Sequence, residues 1–94
     1  DANLDEMNRT LFAFASYNAG PSKISSMRRL AEQRGFDPYK WFNNVEVVTA
    51  EKVGIETTTY VRNIFKYYAA YKLLVVQMEE QRKAREQVEK GKRP

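Results

Sequence analysis

Apolar residues recur along this chain at intervals of three and four, the spacing that puts them on one face of an α-helix. Leu4, Met7, Leu11, Phe14 and Ala15 predict a first helix from Leu4 to Tyr17, with Asn3 or Asp5 as its cap. Gly20 can take the left-handed conformation that ends helices, and Pro21 suits the first turn of a new one, so a tight corner is expected at Asn18 to Ser22. The second helix should run from Pro21 to Arg34, burying Ile24, Met27, Leu30 and Ala31 while Lys23, Arg28 and Glu32 face water, and Gly35 should stop it.

Asp37 and Pro38 read as the cap and first residue of a short helix through Trp41 and Phe42. The stretch from Asn43 to Gly54 has no clear period. Val45, Val47 and Val48 would suit a strand, but a solitary strand has nothing to pair with, which favours a loop with a helical turn. From Glu56 onward one stripe continues through Val61, Ile64, Tyr68, Tyr71, Val75 and Met78, widened by Phe65 and Leu74. That longest helix should be the backbone of the core. After Met78 the apolar positions thin to Ala84 and Val88, leaving a charged helical continuation with expected pairs Glu79 to Lys83 and Glu86 to Lys90, and fraying over Gly91 to Pro94. The pattern predicts an all-α fold of three longer helices and one short one, divided into a body at 1–78 and a charged tail at 79–94.

Ninety-four residues suit a single modest core. The chain has no Cys and no His, which removes thiol nucleophiles, Ser-His-Asp triads and Cys/His zinc sites, so acid-base work would fall to Asp, Glu, Lys or Tyr. No metal or cofactor is expected. The net charge of +4 is spread evenly, +2 over 1–78 and +2 over 79–94, and fits either an anionic polymer partner or an ordinary solubilising surface. No apolar run is long enough to cross a bilayer.

The densest polar cluster beside apolar helices is Ser16-Tyr17-Asn18-Ala19-Gly20-Pro21. An Asn amide both donates and accepts, and a Tyr joins a flat apolar body to a hydroxyl, a combination that matches N-acetylated sugars. The competing reading makes Asn18 and Gly20 a helix end and Tyr17 a core aromatic. Basic and aromatic residues alternate from Arg62 through Phe65, Lys66, Tyr67, Tyr68, Tyr71 and Lys72, as in single-stranded nucleic-acid binders. Tyr68 and Tyr71 share the apolar stripe while Lys66 and Lys72 point away from it, which favours core packing over nucleic acid. The charged tail could instead serve as a helical protein-interaction arm, although Ala84 and Val88 are few for a stable seam.

Ala15-Ser16-Tyr17-Asn18-Ala19-Gly20-Pro21 resembles the Ala-x-Tyr-Asn-x-Gly motif of lytic transglycosylases with a lysozyme-like catalytic domain. Trp41-Phe42-Asn43-Asn44-Val45-Glu46, and Glu56-Thr57-Thr58-Thr59-Tyr60-Val61-Arg62-Asn63-Ile64 through Lys66-Tyr67-Tyr68, are similar to later blocks of the same domain. Their order and spacing agree best with membrane-bound lytic murein transglycosylase F and its relatives, over about Asn8 to Leu74. The resemblance implies the C-terminal helical part of a lysozyme-like domain that cleaves the β-1,4 bond between N-acetylmuramic acid and N-acetylglucosamine without water, leaving a 1,6-anhydro sugar. It implies peptidoglycan glycan strands as the partner and a periplasmic, outer-membrane-associated parent. Tyr17 and Asn18 would line the sugar cleft, with Asn18 near an N-acetyl group. Tyr60 would stand near the catalytic carboxyl, and Glu56 would support the cleft floor.

In that family the catalytic Glu precedes a Ser, and a Gly-Leu-Met-Gln-like segment follows it, both upstream of the Tyr-Asn motif. Neither block occurs in these residues. The catalytic Glu is therefore expected outside this chain, and the chain alone is expected to be inactive. Glu46, read as a loop acid with an exposed head, and Glu56, a first-turn acid stabilised by the helix dipole, are the carboxylates nearest apolar runs; neither is expected to replace it. Apolar surface left uncovered by the missing half should drive the chain into dimers or higher oligomers.

Overall fold

The structure, a computed structural model, describes residues 2–92. Among them there are four α-helices and no strand: α1 (Glu6–Ala19), α2 (Pro21–Gln33), α3 (Glu46–Lys52) and α4 (Ile55–Lys92). The first three fold as a small cap over the N-terminal third of α4, and the rest of α4 projects away. With 38 residues, α4 is about 57 Å long at 1.5 Å per residue. It accounts for the overall extents of 66 × 26 × 19 Å and for a radius of gyration of 18.9 Å, where a compact chain of this length would have about 12 Å.

Asp5 caps α1: its carboxylate accepts from the Asn8 backbone N–H at 2.7 Å, so the helix starts at Glu6 rather than at the expected Leu4. The Asn8 side chain also donates to that carboxylate, at 3.0 Å, and these hydrogen bonds hold the Asp5 carboxyl below its ordinary value. Asn8 is itself buried, and its amide oxygen accepts from the Trp41 backbone N–H at 2.9 Å. One polar side chain thus ties the start of α1 to the middle of the chain. The inward face is Asn8, Leu11, Phe12 and Ala15, with Leu4 and Phe14 packed at its edge as expected, whereas Met7 is exposed.

Gly20 adopts φ +102°, a backbone conformation that a side chain would strain, and turns the chain from α1 directly into Pro21. α2 buries Ile24 and Ala31, with Met27 and Leu30 partly covered. It ends at Gly35, φ +86°, where the Phe36 N–H bonds back to Ala31 and the Gly35 N–H to Glu32, the geometry of a Schellman motif. Arg28, expected in water, is instead half-buried: it donates to the Pro38 carbonyl at 2.8 Å and lies over the rings of Phe12 and Tyr39.

Two expectations for the middle of the chain fail. Residues 37–40 form a turn, with the Asp37 carboxylate accepting from the Tyr39 N–H at 2.9 Å, and no helix runs from Asp37 through Phe42. A wide turn follows at Trp41–Val45, closed by the Val45 N–H on the Lys40 carbonyl, with Phe42 extended and Asn43 left-handed at φ +59°. Asn tolerates that region better than most residues. The Asn43–Gly54 stretch then contains a helix of its own, α3, which buries Val48 and Thr49 behind Val45.

The core is Leu11, Phe12, Ala15, Ile24, Ala31, Trp41, Val45, Val48 and Val61, with Trp41 and Phe12 packed edge to face at 5.9 Å. α4 contributes Val61 with the buried Thr57 and Thr58, and half-buried Ile64, Phe65 and Tyr68. Beyond Tyr68 every described side chain of α4 is exposed, so Tyr71, Val75 and Met78 are not in the core as their spacing suggested. The charged continuation is helical through Lys92, but its pairs differ from those expected: Arg82 serves both Glu79 and Glu86. Gly91 and Lys92 belong to the helix; Arg93 and Pro94 lie outside the described residues.

Candidate functional site

The α1–α2 corner is held against the first turns of α4 by one hydrogen bond. The Thr57 hydroxyl donates to the Asn18 amide oxygen at 2.8 Å, across 39 residues of sequence. Thr57 is buried, whereas Asn18 is exposed. Because the Asn18 oxygen is engaged inward, its NH2 group is left facing outward as a two-proton donor. Thr58, also buried, closes its own hydroxyl on the Ile55 carbonyl at 3.1 Å, which steadies the start of α4 without reaching the corner.

Tyr17 precedes Asn18 in the last turn of α1 and is 85% exposed, so its ring is a surface group and not the core aromatic of the competing sequence reading. Tyr60 is half-buried and packs against the core one turn after Glu56, which is exposed in the first turn of α4. Asn18 is therefore joined to the helix that carries Glu56 and Tyr60, while the Tyr17 ring stands clear in solvent.

Glu46 is not the loop acid with an exposed head that its sequence context suggested. It opens α3 with its side chain 14% exposed, faces Arg62 of α4 at 3.6 Å, and accepts from the Asn43 N–H at 3.2 Å. Its carboxylate is committed to joining α3, the Asn43 turn and α4. The basic-aromatic run is likewise divided: Tyr68 packs edge to face on Phe14 at 6.0 Å, and Lys72 lies over the Tyr68 ring while pairing with Glu6 at 3.1 Å. Lys72, expected to point away from the stripe, is used to close the edge of the body.

Two polar groups that position these elements were not singled out by sequence reasoning: Thr57, which holds the corner, and Asn8, which ties the start of α1 to Trp41. A signal existed for the first, since three consecutive threonines are an unfavourable way to start a helix unless their hydroxyls are engaged. The indole N–H of buried Trp41 has no hydrogen-bond partner among the described residues. No group of three or more acidic side chains among the described residues could hold a metal ion, and no helix there is long and apolar enough to cross a membrane.

No family profile matches the chain, and no solved structure does. Curated relatives do. A membrane-bound lytic murein transglycosylase F of Marinobacter nauticus is 38% identical over 78 residues, 69% of this chain and 16% of that protein. Those of Ectopseudomonas mendocina and Stutzerimonas stutzeri are each 33% identical over 79 residues, 70% of this chain and 16% of theirs. The chain thus spans about a sixth of the length of the relatives it matches. Over some 70% of its own length the chain is similar to one lytic-transglycosylase-like part of the membrane-bound lytic murein transglycosylase F proteins.

Proposed function

We propose that the α1–α2 corner and the first turns of α4 form one wall of a groove for peptidoglycan glycan, built of N-acetylmuramic acid and N-acetylglucosamine. The parent protein in this reading cleaves the β-1,4 bond between them to leave 1,6-anhydromuramic ends, and works in the cell envelope on the periplasmic side. Asn18 donates its outward NH2 to an acetamido carbonyl, and Tyr17 offers a flat face and a hydroxyl to a sugar ring. Tyr60 stands near, and Glu56 beneath, the position a catalytic carboxyl would take. The acid itself comes from outside these 94 residues. Glycoside cleavage requires a placed proton donor at the scissile oxygen, so the chain binds without cutting.

The observation that carries this reading is the hydrogen bond from Thr57 to Asn18, because it joins the first and last of the three sequence blocks on which the resemblance rests and leaves the other half of the Asn18 amide free. The test is co-sedimentation with purified murein sacculi. The chain is expected to pellet with sacculi and to release no 1,6-anhydromuropeptides, while N18A and Y17A each bind roughly tenfold more weakly, the loss of one polar or stacking contact worth about 1–2 kcal/mol. Equal binding by the wild type and both variants would remove the basis for the groove.

A further inference from the structure

The middle of α4 is largely apolar yet uncovered. Tyr67, Tyr71, Leu73, Leu74, Val75, Val76 and Met78 are all between 44% and 76% exposed. A helix of that composition is normally buried. Along it, Tyr67, Ala70, Leu74 and Gln77 follow a three-and-four spacing that forms a stripe about 165° round the helix from Val61, Phe65 and Tyr68, the face already packed against the body. A second helix could therefore lie along this stripe without meeting α1, α2 or α3.

The flanking charges select the occupant. Lys66 and Glu80 border the stripe on the same side, two heptads apart, and neither makes an ion pair or hydrogen bond with another described residue. When two α4 helices are laid antiparallel with Ala70 opposite Leu74 of the second copy, Lys66 of each meets Glu80 of the other, and Leu73 faces its own counterpart beside the two-fold axis. The same register sets Tyr67 opposite Gln77 of the second copy, so the one polar residue of the stripe meets a phenol that can bond to it. A parallel arrangement would put the two Lys66 side chains on opposite flanks of the seam, each beside Tyr71 of the second copy and not beside Glu80.

We infer that residues 66–80 of α4 are a self-association surface, on which a second copy of this chain docks antiparallel about a two-fold axis near Leu73. The contact is isologous, so it closes as a dimer and does not propagate. It lies on α4 beyond the groove of the proposed function and does not depend on that reading.

Sedimentation of the full chain over a wide concentration range tests the register. The wild type is expected to dimerise. K66E and E80K should each raise the dimer dissociation constant roughly tenfold, since each turns two attractive pairs into two repulsive ones worth up to about 1 kcal/mol apiece. Combined K66E/E80K, which restores both pairs with reversed sign, should return to near wild-type association. Because the chain has no native cysteine, L73C should cross-link through a short bismaleimide while V88C should not. Unchanged helicity and Trp41 fluorescence show that each variant remains folded. A wild-type monomer at all concentrations, a double variant as weak as either single one, or cross-linking at V88C in place of L73C would overturn the proposal.

Discussion

The two halves of α4 have similar helical continuity and opposite surroundings. From Ile55 to Tyr68 the helix is a wall of the body, with Thr57, Thr58 and Val61 buried; from Ala69 to Gly91 every side chain is exposed. Apolar content does not separate them, because the exposed half carries Leu73, Leu74, Val75, Val76 and Met78. The difference lies in partners. Periodicity identifies the face a helix can bury, but whether it is buried depends on elements arriving from elsewhere, and here α1, α2 and α3 reach only the first part.

Core truncation should separate the halves most sharply. Trp41 is fully buried at the centre of the body, so W41A should cost about 3–5 kcal/mol and leave the body unfolded or nearly so. V76A removes an apolar group of similar character from the arm, at 52% exposure and off the proposed association stripe, and should change stability by less than about 0.5 kcal/mol. Urea denaturation followed by circular dichroism at low protein concentration measures both. A comparable loss in the two variants would mean that the arm is packed.

The next largest effect should be at the junction between the body and the corner. Thr57 is the buried donor to Asn18, and T57V keeps its shape while removing the hydroxyl. Since Asn18 is exposed and can turn to water, the expected cost is about 1 kcal/mol, well below that of W41A. The Asn18 amide should also lose its fixed orientation. Nitrogen-15 spectra would register this as a shift of both Asn18 side-chain N–H signals toward their positions in a free amide, and unshifted signals would contradict the anchoring role.

Much of this architecture could be read from the residues. The Gly20-Pro21 corner, the stop at Gly35 and the long final helix follow from local signals that tertiary context did not override. The region from Asp37 to Gly54 could not be read in the same way. Its outcome hangs on Asn43 entering the left-handed region and on Asn8, far earlier in the chain, accepting from the Trp41 N–H. Val45, Val47 and Val48 fit either period over so short a run, and only the burial of Val45 and Val48 beside Ala31 and Val61, with Val47 turned outward, decides for α3. In the candidate site, Tyr17 and Asn18 were visible as residue types, but the partner of Asn18 was not, because a hydrogen bond across 39 residues has no local signature.

The smallest effect should come from the cap at the other end of α1. Asp5 accepts from the Asn8 backbone N–H and then from its side chain, with Lys40 adding a weaker attraction, and its carboxyl is held below the ordinary value of 3.8. A carboxyl depressed on folding contributes stability that is fully present above its unfolded value and is lost as pH falls through the folded one. The body should therefore lose this contribution only in acid, beginning near the ordinary value and continuing below it. D5N retains a capping oxygen but has no charge to titrate. The wild type should consequently be the more stable near pH 6, where its carboxylate also favours the helix N-terminus, and the two melting temperatures should converge as pH drops below the ordinary value. Glu51, lowered by Arg34, titrates equally in both proteins and cancels from the comparison. A gap that persists unchanged into strong acid would show that the Asp5 charge contributes nothing to the cap, leaving hydrogen-bond geometry alone to hold the first turn of α1.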